Sequence, residues 1–94
     1  MKKGYVYMMI NRPYGTPYIG LTDNLKRRTL EHKHGVFDVF TKKYRLTKLV
    51  YYEVFSNTHA AMKREKQMKK YLSHQKMSLI EKFNPEWIDL YETL

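Results

Sequence analysis

Residues 5–21 read YVYMMINRPYGTPYIGL, and this stretch decides the fold. Aromatic and apolar side chains fill residues 5–10 and predict a β-strand, and the shorter run 18–21 predicts a second one. Between them lie two prolines, a glycine and an asparagine, which are typical of a turn. The two strands are therefore expected to form an antiparallel hairpin, with Pro17 at a strand start because it has no backbone donor.

The segment after the hairpin predicts a helix over about residues 24–34. Thr22 or Asp23 can cap its start, and Gly35 is expected to end it. Large aliphatic side chains are scarce in this helix, and basic ones dominate. A helix that packs weakly and concentrates positive charge is expected to face a ligand on one side. Its basic residues are Lys26, Arg27, Arg28, His32, Lys33 and His34.

Residues 36–45 are ambiguous between an aromatic loop and a short helix. Residues 47–55 give the strongest strand signal of the chain, since β-branched and aromatic side chains occur throughout. This run is apolar on both faces, as for a strand buried inside a sheet.

The C-terminal part predicts two more helices, over about residues 59–72 and 73–83. One of the polar residues 56–58 can cap the first, and Ser73 can start the second. Residues 84–91 are aromatic enough to dock on the domain. The resulting order β-β-α-β-α-α predicts an α+β fold, an α/β sandwich in which helices pack on a three-stranded sheet.

Length and composition favour a single domain over residues 1–94. The chain has no cysteine, which excludes disulfides and thiolate zinc sites and makes a reducing cytoplasm the natural compartment. The apolar run 5–10 is too short for a signal peptide or a membrane span, so no membrane association is expected.

A strong positive charge points to a polyanionic partner. Lysine and arginine total 18 against 9 acidic residues, so the formal net charge is +9. For a chain of this length, that favours nucleic acid or an anionic surface. A basic composition without a specific cause is the alternative.

Glu65 is unusual because it lies on a stripe that should face the core. Ala61, Glu65, Met68 and Leu72 follow the spacing of a buried helix face. A buried carboxylate is costly unless it is paired, protonated or bound to a cation. Two explanations remain open: an arginine or lysine partner, or a metal such as Mg²⁺, which proteins often hold with one or two carboxylates.

Four further residues are candidates for a phosphodiester-binding site. Arg28 and His32 are four residues apart and share a helix face, although a solvated basic face would show the same pattern. Tyr7 and Tyr18 lie on the two hairpin strands and become neighbours if the register is right, with Gly20 allowing a close approach to the sheet. Plain cross-strand aromatic packing is the alternative for the two tyrosines.

Taken together, these residues resemble the GIY-YIG nuclease family. The resemblance covers nearly the whole chain and is closest to short bacterial proteins that consist of this domain alone. No single motif is specific, but four in order at compatible spacing are. The matching segments are YVY at 5–7, YIG at 18–20, NLKRR at 24–28 with His32, and REKQMKK at 64–70.

The resemblance implies a three-stranded antiparallel sheet flanked by helices and phosphodiester hydrolysis with one divalent cation, Mg²⁺ or Mn²⁺. Its spacing from Tyr18 selects Arg28 over Arg27 as the family arginine, and Glu65 becomes the metal ligand. DNA is the expected substrate, and a separate protein partner could supply target specificity. The implied catalytic residues are Tyr7, Tyr18, Arg28, His32 and Glu65. The expected nucleic-acid contacts are Lys26, Arg27, Arg28 and Lys33.

Two positions depart from the family pattern. Tyr5 replaces the glycine of the first motif, which the chemistry tolerates because the tyrosine at its end is retained. Many family nucleases also carry an asparagine on the helix after the glutamate, but residues 77–80 have none and the next asparagine is Asn84. A non-catalytic nucleic-acid-binding module, or an adaptor with the same fold, is therefore the alternative function.

Overall fold

The sheet is built as the hairpin pattern predicted. In the computed structural model, which describes residues 3–94, three antiparallel strands pair in the order β2-β1-β3. They are β1 (Gly4–Ile10), β2 (Tyr18–Thr22) and β3 (Lys48–Phe55). The three-stranded antiparallel sheet and the α+β class are confirmed.

The strand that was predicted to be buried inside the sheet lies at its edge. β3 pairs only with β1, and β1 is the central strand. β3 is nevertheless apolar on both faces because helices cover one face and the C-terminal segment covers the other. Towards its end it emerges, and Val54 is 50% exposed. An apolar pattern on both faces of a strand indicates that both faces are covered. An edge strand can show this pattern as well as a central one.

Four α-helices and a C-terminal 3-10 turn surround the sheet. The first helix is followed by a short second one, so the ambiguous segment 36–45 contains a helix and the order becomes β-β-α-α-β-α-α. The elements are α1 (Leu25–Lys33), α2 (Val39–Lys43), α3 (Thr58–Lys69), α4 (Ser73–Phe83) and the 3-10 turn Leu90–Thr93. None of the helices in residues 3–94 is long and apolar enough to cross a membrane.

The cap of α1 differs from the prediction. Asn24, and neither Thr22 nor Asp23, is the N-cap, and its side-chain oxygen accepts a hydrogen bond from the Arg27 amide at 3.1 Å. Thr22 instead accepts from the Asn24 amide, so it shapes the turn before the helix. At the other end Gly35 has φ +67, a left-handed conformation that stops the helix as expected.

α3 is shorter than the predicted 59–72. Asn57 caps it as anticipated, but it ends at Lys69. Leu72, predicted on the buried stripe, is 63% exposed and serves as the N-cap of α4, where its amide donates to the Gln75 side chain at 2.7 Å. The stripe of α3 therefore ends at Met68, which is fully buried.

The two faces of the sheet have different partners. Val6, Met8 and Ile10 on one face pack in a core cluster with α3 and α4. Tyr7 and Met9 point to the other face and pack with α1, the segment before β3 and the C-terminal residues. The alternation of side chains along β1 thus sends the family tyrosine towards the arginine-bearing helix.

Candidate active site

Tyr7 lies directly across Gly20 of the neighbouring strand. The two residues are register partners in the β1–β2 pair. A Cβ built on Gly20 would stand 2.4 Å from the Tyr7 hydroxyl, so the glycine is what allows the ring tip to cross β2. The tyrosine is fully buried. The absence of a side chain at Gly20 therefore places the Tyr7 phenol at the outer strand of the sheet.

A buried chain of hydrogen bonds connects Tyr7 to the segment after α1. The Tyr7 hydroxyl lies 2.8 Å from His32 Nε2, and His32 Nδ1 lies 3.1 Å from the Thr41 hydroxyl. Thr41 in turn donates to the Asp38 carbonyl at 3.1 Å. Since the Thr41 proton is used there, its oxygen accepts from His32 Nδ1–H. The free Nε2 lone pair then accepts the Tyr7 proton.

Thr41 is a site residue that the sequence reasoning did not identify. Asp38 caps α2 by accepting from the Phe40 and Thr41 amides at 2.8 and 3.2 Å, which fixes Thr41 beneath His32. The available signal was the Asp38 cap followed three residues later by threonine in the ambiguous segment.

Tyr18 completes an aromatic cluster around His32. Its ring centroid lies 5.3 Å from that of His32 and 6.4 Å from that of Tyr7. The ring centroid of Phe37 also lies 4.8 Å from that of His32. Tyr18 is only half-buried, whereas Tyr7 and His32 are enclosed. Cross-strand packing and a shared polar site therefore coexist, and Tyr18 is the phenol nearer to solvent.

Arg28 projects into this cluster, and Arg27 does not. The Arg28 guanidinium lies 3.9 Å above the Phe37 ring, and its Nε donates to Glu31 at 3.0 Å. It also lies close enough to the Tyr7 hydroxyl to oppose the rise in the pKa of that phenol. The Arg27 side chain is 60% exposed and pairs with Asp23 at 3.8 Å. The structure thus brings Arg28 together with Tyr7, Tyr18 and His32.

The protonation states follow from burial and from the arginine. Burial, reinforced by the Arg28 charge, lowers the pKa of His32 to about 4, so the ring is neutral at physiological pH. Burial is the main cause that raises the pKa of Tyr7 above its ordinary value, and the nearby Tyr18 adds to the rise. The Arg28 charge opposes it. Burial, then the Asp38 charge, also raises the pKa of Tyr18. All three groups are uncharged beside a permanent cation.

Glu65 belongs to α3, which packs on the face of the sheet opposite to α1. α3 packs against β1 and β2, and the negative charge of Glu65 helps raise the pKa of both Tyr7 and Tyr18. The carboxylate therefore lies within electrostatic range of both phenols. Its side chain is 16% exposed and pairs with Lys69 at 3.4 Å. Glu65 is thus mostly buried, as its stripe predicted, and Lys69 is the cationic partner that was one of the two open explanations.

A strong ion pair next to Glu65 fixes α3 on the sheet. Arg64 donates from Nε and Nη2 to the Glu53 carboxylate of β3, both at 3.0 Å, and from Nη1 to the Tyr71 hydroxyl at 3.0 Å. Tyr51 also donates to Glu53. Because these contacts join α3 to the far strand, they hold the turn of helix that carries Glu65.

The residues present fit a cation held by one carboxylate. Within residues 3–94, no group of three or more histidines and carboxylates could hold a metal ion. Mg²⁺ commonly takes one or two protein carboxylates and completes its shell with water and substrate phosphate. The Lys69 partner of Glu65 is 56% exposed and can move aside. Glu65 is accordingly the candidate ligand.

The basic residues expected to contact nucleic acid differ in their freedom. Lys26 and Arg27 are exposed on α1. Lys33 is engaged elsewhere, because its ammonium donates to the Thr47 carbonyl at 2.9 Å and to Asp89. Lys33 therefore ties α1 to the C-terminal segment, and its contact with phosphate stays a prediction.

Asn84 does not replace the missing family asparagine. It is buried, and its amide donates to the Val50 and Ile88 carbonyls at 3.2 and 2.8 Å. Its oxygen accepts from the Ile88 amide at 3.2 Å. These bonds anchor the C-terminal segment on β3, so the side chain is committed to structure.

Fold and site together define a class. The family model described as the GIY-YIG catalytic domain matches residues 3–91, and the chain belongs to this family, whose domain is generally a nuclease fold. The chain is also similar to bacterial proteins named UPF0213. The relative from Syntrophus aciditrophicus is 39% identical over 87 residues, covering 92% of this chain and 98% of the relative. The relative from Staphylococcus haemolyticus is 37% identical over 81 residues, covering 86% of this chain and 98% of the relative. No solved structure gives a significant match.

Proposed function

We propose that the protein is a divalent-metal-dependent endonuclease that hydrolyses phosphodiester bonds of DNA. The observation that carries this proposal is the enclosed hydrogen bond between Tyr7 and His32, which lies close to the Arg28 guanidinium. Thr41 on the other ring nitrogen favours the His32 tautomer that accepts from Tyr7. An uncharged, polar, hydrogen-bonded pair beside a permanent cation is suited to move a proton while the cation binds a phosphate.

Arg28 binds a non-bridging oxygen of the scissile phosphate and stabilises the charge that develops in the transition state. Phe37 beneath the guanidinium and Glu31 beside it fix the orientation of the fork, so little reorganisation is needed. Tyr18, the half-buried phenol, donates to or positions the attacking water.

Tyr7 and His32 share the role of proton acceptor. His32 is 1% exposed and its Nε2 faces Tyr7, so the proposed proton path to Nε2 passes through the phenol. In the proposed relay, Tyr7 takes the proton from water as it passes its own proton to His32. Neither group needs to be ionised beforehand, which suits a phenol whose pKa is raised. The fully buried Tyr7 hydroxyl requires the Tyr18 and Arg28 side chains to part when substrate binds.

Glu65 would hold the divalent cation, Mg²⁺ or Mn²⁺, which neutralises charge on the phosphate and on the leaving oxygen when bound. The exposed position of Lys69 supports this role, because the carboxylate can exchange its partner. The ion pair between Arg64 and Glu53 holds the neighbouring turn of α3 while this happens.

DNA is the proposed polyanion because the net charge of +9 and the exposed Lys26 and Arg27 on α1 favour phosphate binding beside the site. A protein partner that selects the target is part of the same proposal.

One observation favours a non-catalytic nucleic-acid-binding module instead. Asn84 is committed to the Val50 and Ile88 carbonyls, so it is not available for the contact that an asparagine makes in many family nucleases. The two functions differ in metal-dependent strand cleavage, and a binding module would show none.

The test is a panel of flapped, branched, nicked, duplex and single-stranded DNA and matching RNA, incubated with Mg²⁺, Mn²⁺ or EDTA. Arg28→Lys retains the charge but loses the guanidinium fork, so it should abolish cleavage. Arg45→Lys, at an exposed arginine with no part in the proposed site, is the matched control and should cleave as wild type. Cleavage that persists equally in Arg28→Lys and in EDTA would show a contaminating activity and overturn the proposal.

A further inference from the structure

A cleft separates α2 from the β1–β2 turn. Its volume is about 300 Å³. Phe40 and Tyr44 form one wall, Asn11 and Arg12 form the other, and Leu46 lies between them. The cleft therefore combines an aromatic wall with a cationic, hydrogen-bonding one.

The aromatic wall is exposed to solvent. Phe40 is 47% and Tyr44 49% exposed, and their ring centroids are 4.8 Å apart. Lys43 lies between them in sequence, and its ammonium is 5.4 Å from the Tyr44 ring. Large rings left in water on a short helix contribute little to the core. Aromatic faces interleaved with cations are the surface on which unpaired bases stack.

Both walls of the cleft continue into the candidate active site. α2 carries Thr41, which holds His32 from below. The β1–β2 turn leads directly into Tyr18 at the start of β2. The cleft and the candidate active site are thus built on the same two chain segments.

We propose that this cleft binds an unpaired nucleobase of the substrate strand, stacked on Phe40 and Tyr44, with Arg12 and Lys43 attracting its phosphates. This inference rests on the proposed nuclease function and specifies its substrate as a strand that is single-stranded next to the scissile bond. In an intact duplex the base faces are covered by their neighbours, so only an unpaired base can offer one to the aromatic wall.

The test measures binding by fluorescence anisotropy, with EDTA present, to three labelled probes of equal length: a single-stranded oligonucleotide, a fully abasic strand and a blunt duplex. The variant is Phe40→Leu with Tyr44→Leu, which keeps apolar volume but removes the planar faces. Phe83→Leu is the matched control, because Phe83 is 46% exposed and packs instead on Tyr51 and Tyr52.

The double variant should bind the single strand roughly tenfold more weakly than wild type does, a change within the range for losing base stacking. Its binding to the abasic strand and the duplex should be unchanged, and the control should match wild type on all three probes. Equal losses on all probes, or none on the single strand, would overturn the base site while leaving cleavage by the Arg28 site intact. A wild-type protein that binds none of the three probes would overturn the nuclease proposal as well. If the cleft serves a protein partner instead, the double variant should bind the single strand as tightly as wild type does.

Discussion

His32 is enclosed, yet both of its ring nitrogens have a partner. Tyr7 and Thr41 satisfy them without any charge on the ring, and the nearby Arg28 cation opposes protonation. A buried histidine of this kind is often purely structural. What distinguishes His32 is that one of its two partners is a phenol that lies close to an arginine.

The first prediction concerns the pH dependence of stability. The pKa of His32 is lowered from 6.5 to about 4 on folding, so below pH 6.5 the unfolded chain binds a proton that the folded chain refuses. This contribution to stability is complete above pH 6.5 and is lost as the pH falls towards 4, by on the order of 3 kcal/mol. Urea unfolding at pH 7.5, 5.5 and 4.5 should show it.

His32→Gln should flatten the pH dependence in that window, whereas His34→Gln, an exposed neighbour, should leave it as in wild type. An identical pH slope in wild type and His32→Gln would show that the imidazole titrates normally in the folded state.

The second prediction concerns Glu65→Gln. Metal-dependent cleavage should disappear, and DNA binding should survive because lysines and arginines elsewhere supply it. Stability should change by less than about 1 kcal/mol, because the partner Lys69 is largely in solvent. Thermal melting and cleavage assays check this, with Glu81→Gln on the exposed part of α4 as control. A large loss of stability with cleavage intact would assign Glu65 to the fold.

At the scale of elements, the β1–β2 register decides where the chemistry is placed. Tyr7 and Gly20 are partners, and a one-residue slip would send Tyr7 to the α3 side of the sheet. The third prediction is that Gly20→Ala displaces the Tyr7 ring, costs about 1–3 kcal/mol and abolishes cleavage, because the new methyl group would stand 2.4 Å from the hydroxyl. Denaturant unfolding and cleavage assays measure both effects.

A double-mutant cycle isolates the contact between these two side chains. Leucine at position 7 is too short to cross Gly20, so the stability cost of Gly20→Ala should shrink in a Tyr7→Leu background. An undiminished cost would mean that the alanine clashes with something other than the ring.

The fold was largely predictable because its strands are marked by local patterns. The hairpin, the cap at Asn57 and the stop at Gly35 follow from residue types that favour one backbone conformation. The end of α3 was not predictable from the sequence, because Leu72 continues the apolar stripe of the helix. The stripe is interrupted there because α4 begins at the next residue. The edge position of β3 depends on strand pairing, which a single-strand pattern does not encode.

The site was predictable where residues share an element or a register. Arg28 and His32 are one helical turn apart, and Tyr7 and Tyr18 follow from the hairpin. Thr41 could not be assigned, because its place beneath His32 depends on the path of residues 34–38 between two helices. The exposed part of the site, including the aromatic cleft, depends on the same path.

At the scale of the whole molecule, the positive charge is only partly neutralised internally. Ion pairs in residues 3–94 engage some of the cations, while most lysines lie exposed. The engaged cations are Arg27, Arg28, Lys33, Arg64 and Lys69. With 18 basic and 9 acidic side chains, a broad excess remains for phosphates. Association with nucleic acid should therefore be driven by counterion release.

The fourth prediction follows from this excess. A plot of the logarithm of duplex-DNA affinity against the logarithm of salt concentration should be linear, with a slope of roughly −4 to −5 if about five phosphates are neutralised. Changing the duplex sequence at constant length should shift the line little. Anisotropy titrations between low and moderate salt measure the slope, and a flat response would refute an electrostatic binding mode.

The same titration separates charge from stacking. Salt screens phosphate contacts but leaves base stacking on Phe40 and Tyr44 nearly untouched, so affinity extrapolated to 1 M salt should be higher for a single strand than for its abasic counterpart. The slopes of these two probes should agree because their phosphates are equal in number. In the Phe40→Leu and Tyr44→Leu double variant, the two lines should coincide. Lines that differ in slope would mean that the bases alter the number of phosphates bound, and the aromatic wall would then have no separate part in affinity.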